Sequence, residues 1–74
     1  MIYQIECRRL NTRGHWLTLG NSAGGLAIAK MVAQDISIEI ERETRVVTYG
    51  GKQGFRIHAE FSATGQPLRL DSAA

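Results

Sequence analysis

The sequence predicts a small α+β domain: about four antiparallel strands in the order β-β-α-β-β, with one helix packed on one face of the sheet. Three observations carry this. Apolar residues alternate with polar ones at both ends of the pattern, an apolar stripe at helical spacing lies between, and turn-forming residues join the alternating runs. The 74 residues leave room for one domain only.

Taken in order, Ile2 to Leu10 reads as a strand with Tyr3, Ile5 and Cys7 on one face and Gln4, Glu6 and Arg8 on the other. Asn11, Thr12, Arg13 and Gly14 are turn residues, and His15 to Leu19 returns as the second strand of a hairpin. Leu17 and Leu19 share one face of that strand, and Trp16 and Thr18 share the other. The run from Gly20 to Gly25 breaks the alternation. Behind it Leu26, Ala29, Ala33 and Ile36, flanked by Ile28 and Val32, predict a helix from Ala23 to about Asp35, with Ser22 or Asn21 as its N-cap.

Residues 36–43 are ambiguous. Ile36 and Ile40 suit another helical turn, whereas β-branched Ile at positions 36, 38 and 40 favours an extended segment, and the extended reading is preferred. Thr44 to Tyr49 is a strand, Gly50 to Gly54 a hairpin loop, and Phe55 to Phe61 the clearest strand of all. In it Phe55, Ile57, Ala59 and Phe61 are expected inward, and Arg56, His58 and Glu60 outward. The domain is therefore placed at residues 1–61, with a small, polar, disordered tail over residues 62–74.

Composition narrows the functional classes. A single cysteine, Cys7, forms no intrachain disulfide, and no set of Cys and His has the spacing of a zinc site. No metal or cofactor is expected. The first nine residues lack a basic stretch followed by an apolar run, and no apolar stretch reaches the roughly 20 residues that span a bilayer, so the expectation is a cytoplasmic protein without a membrane partner. Charge is unevenly spread: Arg8, Arg9, Arg13 and Lys30 outweigh Glu6 in residues 1–34, and Asp35, Glu39, Glu41 and Glu43 outweigh Arg42 in residues 35–43. Such an acidic run can imitate a phosphate backbone, but more usually it is a solvated edge.

One string imitates chemistry. Gly20-Asn21-Ser22-Ala23-Gly24 fits G-x-S-x-G between a strand and a helix, and with Gly25 it is similar to the nucleophile elbow of hormone-sensitive-lipase-like esterases, departing at Asn21. That chemistry also needs a parallel sheet, an acid, a histidine and an oxyanion loop. Here the sheet reads as antiparallel and only His58 follows Ser22. A glycine turn with Ser22 as helix cap accounts for the string, and the expectation is that the protein is not an enzyme.

Two surfaces remain. The face of the sheet away from the helix should gather Glu6, Arg8, Trp16, Arg56, His58 and Glu60, with strand three adding either Arg45, Val47 and Tyr49 or the alternate set. Trp and Arg dominate binding hot spots, so Arg8, Arg13, Trp16, Arg56 and His58 are the candidate partner-binding residues. The competing reading turns Trp16 into the core. The Arg8-to-Trp16 hairpin, with three arginines and a stacking aromatic, is the second surface and fits a phosphate backbone, although a formal charge of +2 is low for that role.

Tyr3-x-Ile5, Trp16-x-x-Leu19-Gly20, the Ala-rich helix, Arg45-Val46-Val47 and His58-Ala59-Glu60-Phe61 together resemble small orphan proteins of phages and prophages, of the type I anti-CRISPR kind. The likeness is one of size, element order and pattern across residues 1–61, and no functional residue is carried over by it. It implies a non-enzymatic inhibitor that occludes a protein or ribonucleoprotein partner. The alternative is a small nucleic-acid-binding module, and a homodimer is the third partner class.

Overall fold

The structure is a computed structural model that describes residues 2–8, 15–50 and 54–70. Five strands and one helix follow in the order β1 (Tyr3–Arg8), β2 (Trp16–Ser22), α1 (Leu26–Ile40), β3 (Thr44–Thr48), β4 (Arg56–Phe61) and β5 (Pro67–Leu70). All pairings are antiparallel, and the strands lie side by side as β2-β1-β3-β4-β5. The expected α+β class and helix-on-sheet arrangement hold, with one strand more than the four foreseen.

Helix α1 lies across β1, β3 and β4. Its stripe of Ala29, Ala33 and Ser37, one turn apart, has no exposed surface, because such small side chains let the helix sit close against the sheet. Ile5, Val46, Ala59 and Phe61 meet Ala29 and Ala33 in the core, with Tyr3, Leu26 and Ile36 packed around them. The hydroxyl of Thr44 donates to the Ala33 carbonyl at 2.7 Å and ties β3 to the helix. Cys7 is buried as a free thiol, in keeping with its apolar strand face.

Four expectations are corrected. The helix does not stop at Asp35 but runs to Ile40, because the buried stripe continues through Ser37 and Ile36 reaches the core. Burial overrides the β-branched preference of the isoleucines. The helix also starts later. Strand pairing continues to Ser22, which lies opposite Tyr3, so the N-cap is Gly25 at φ 94° and no side chain caps it.

The third correction concerns β2. Leu17 and Leu19 are 41% and 46% exposed instead of buried, since β2 is the outermost strand and α1 sits over its neighbours. The fourth concerns residues 62–70, which were expected in a disordered tail but form a turn and a strand. Ser62 and Gly65 form a tight turn (Gly65 N–H to the Ser62 carbonyl, 2.9 Å), after which β5 pairs with β4. Residues 71–74 lie outside the described residues. Among the described residues, no helix is long and apolar enough to cross a membrane.

Candidate functional site

Strand alternation puts Glu6 and Arg8 of β1 on the face away from the helix, because Ile5 and Cys7 between and beside them are buried on the other side. Register then selects their neighbours. Trp16 lies opposite Arg8, and Arg45 lies opposite Glu6. Tyr49, the residue after β3, continues the Arg45 face. The alternative left open for strand three is thus resolved in favour of Arg45, Val47 and Tyr49.

These side chains form one cluster. The Arg8 guanidinium carbon stands 4.5 Å from the centroid of the Trp16 ring, and that of Arg45 stands 4.2 Å from it. Arg45 is also 5.0 Å from the ring of Phe55, which in turn lies 5.1 Å from the ring of Tyr49. Beneath them Glu6 is only 4% exposed, with both carboxylate oxygens engaged. Arg45 Nε donates to Oε1 at 2.7 Å and the Tyr49 hydroxyl donates to Oε2 at 2.6 Å. A carboxylate this buried is tolerated because a cation and a phenol satisfy it. The hydrogen bond to Glu6, reinforced by burial and by the Glu6 charge, raises the Tyr49 pKa above its ordinary value, while Arg45 opposes the shift. Arg8 makes a longer, half-exposed ion pair with Glu43 at 3.5 Å.

Of the candidate residues, Arg8 and Trp16 are brought together as expected, with Trp16 half-buried under two guanidinium groups. Arg13 lies outside the described residues, as does most of the basic hairpin turn. Arg56, expected on the open face, is corrected: it is exposed at the start of β4 opposite Thr48, which alternates to the other side from Arg45, Val47 and Tyr49.

His58 is corrected. It is 8% exposed, its Nε2 lies 2.9 Å from the Thr48 hydroxyl, and its ring meets Tyr3 edge-on at the margin of the core. The cause is a β-bulge. Val46 pairs with Ala59 but Val47 pairs with Ile57, which leaves His58 as the extra residue and ends the alternation there. For the same reason Phe55, expected in the core, is 42% exposed and stacks in the Tyr49–Arg45 cluster.

Sequence reasoning missed the anchoring role of Glu6, Arg45 and Tyr49. The signal available was their shared face, once β1 and β3 are known to be neighbours. Ser22, the centre of the elbow-like string, is a half-buried strand residue paired with Tyr3. Among the described residues no three His, Cys, Asp or Glu side chains are grouped to hold a metal ion. The chain matches no protein-family model, no curated protein and no solved structure.

Proposed function

We propose that the protein is a non-enzymatic binding module whose working surface is the face of the sheet away from α1, centred on Trp16, and that its partner is a protein surface. The observation that carries this reading is the stacked row of Arg8, Trp16, Arg45 and Phe55 held from below by Glu6. Aromatic and Arg side chains supply most of the energy at protein interfaces. Fixing them before contact removes part of the ordering cost of binding.

Charge favours a protein over a nucleic acid as the partner. Arg45 is neutralised by Glu6 and Arg8 by Glu43, so neither guanidinium offers a full uncompensated charge to a phosphate backbone. A mixed aromatic and charge-paired face suits a protein partner. In its most concrete form the module is an inhibitor of a protein or ribonucleoprotein machine, of the anti-CRISPR kind. Small size and one helix packed on an antiparallel sheet support that form.

The test compares wild type with Trp16→Ala for retention of proteins from host lysate, using Leu68→Ala at the far edge of the sheet as control. Trp16 lies outside the Ile5–Phe61 core, so the variant should stay folded, lose about 1–2 kcal/mol of stability, and lose the partner that the control retains. Retention of the same partner by Trp16→Ala, or tight salt-sensitive binding of nucleic acid by the wild type, overturns the proposal.

A further inference from the structure

The two edges of the sheet are built differently. At one end β5 is four residues long, opens with Pro67 and carries Arg69. A proline and a charge on a short strand both discourage another strand from pairing there. At the other end β2 is seven residues long, Trp16-Leu17-Thr18-Leu19-Gly20-Asn21-Ser22, with no charge and no proline. Among the described residues, the one-residue slip that leaves Leu19 unpaired opposite β1 is its one protective device.

The helix side of this edge is open and carries exposed apolar side chains, with Glu39 of α1 on the same flank. Leu17 lies opposite buried Cys7 and so projects to the α1 side, yet Leu17 and Leu19 keep nearly half their surface. The helix contributes to the same strip. Gln34 reaches the Gly65 carbonyl at 2.8 Å, which fixes that flank of α1 over the β4–β5 side. Two residues along a helix turn about 200°. Val32 therefore lies on the opposite flank, towards β2, with Ile28 one turn before it, and these are 38% and 47% exposed.

We propose that β2 pairs antiparallel with β2 of a second copy across a two-fold axis, joining two five-stranded sheets into one of ten strands. A second copy fits this edge better than a foreign strand because the edge complements itself. A two-fold axis sets each residue against its own sequence, and an uncharged strand meets itself without like-charge repulsion. Leu17, Ile28 and Val32 then come together with their counterparts beside the seam. A chain this small exposes much of the apolar surface that a larger domain would bury, and dimerisation removes some of it from water. On the other face the two Trp16 clusters come to flank the same seam.

The test is sedimentation of the full chain over a wide concentration range, with the double variant Leu17→Glu, Leu19→Glu. Wild type should form a dimer, and the variant should dimerise at least about tenfold more weakly, equivalent to about 1.4 kcal/mol. Amide hydrogen exchange supplies a second measurement that needs no variant: protection of Trp16–Ser22 should rise with wild-type concentration. A wild-type chain that stays monomeric to about 1 mM, a dimer unaffected by a folded double variant, or a dimer without added protection in β2 overturns the proposal.

Discussion

At Glu6 one carboxylate holds together residues that are 39 and 43 positions away along the chain. Removing one partner of a buried ion pair costs about 3–5 kcal/mol, because the other is left without compensation. A small domain has only about 5–15 kcal/mol in total. Glu6→Ala is therefore expected to bring the protein close to unfolding, whereas Glu6→Gln, which keeps an acceptor for Arg45, should cost less. Glu43→Ala at the exposed pair with Arg8 should change stability by no more than about 1 kcal/mol. Denaturant midpoints of the three variants check this ranking.

The same contact gives a pH signature. Tyr49 holds its proton more tightly folded than unfolded, so its contribution to stability is complete below about pH 10 and is lost as pH rises through the raised folded value. Alkaline titration of phenolate absorbance should show one tyrosine displaced upward in wild type, and the displacement should shrink in Glu6→Gln. Part of this cluster was legible in the sequence. Alternation alone put Glu6, Arg8 and Trp16 on one face. That Glu6 is buried was not legible, because Arg45 and Tyr49 arrive only through long-range pairing. His58 was misplaced because a bulge changes the facing of a side chain without changing the local pattern.

Helix α1 shows how element boundaries escape a local reading. Ile36, Ile38 and Ile40 alternate like a strand, and only contact with the sheet reveals that Ala29, Ala33 and Ser37 continue one helical stripe. The helix ends where Glu41 adopts φ 56° and its N–H bonds the Ser37 carbonyl, a left-handed cap on a residue that gives no glycine signal in the sequence. Strand β5 was missed for a similar reason. Pro67-Leu68-Arg69-Leu70 is short and follows turn residues, and it becomes a strand by pairing with β4. The turn before it depends on Gly65, at φ 85°, where an added Cβ would come within 2.6 Å of the Ile38 side chain. Gly65→Ala should cost about 2 kcal/mol through backbone strain and that collision, read from chemical denaturation.

At the scale of the whole molecule the class was legible, since a helix between two alternating regions has few ways to cover a sheet. The neighbour relations were not. Nothing local specifies that β1 sits between β2 and β3, or that the helix leaves β2 at an open edge. The β1–β3 seam has a kinetic consequence. The pairings β1–β2, β3–β4 and β4–β5 each join neighbours in the chain, but Glu6 meets Arg45 only after 39 positions are looped around α1. That loop must lose its entropy before the contacts across the seam repay it, so closing the seam should set the folding rate. In stopped-flow measurements Ile5→Val, within the seam, should mainly slow refolding. Gly65→Ala, in the turn before β5 and outside that seam, should leave refolding almost unchanged and speed unfolding instead.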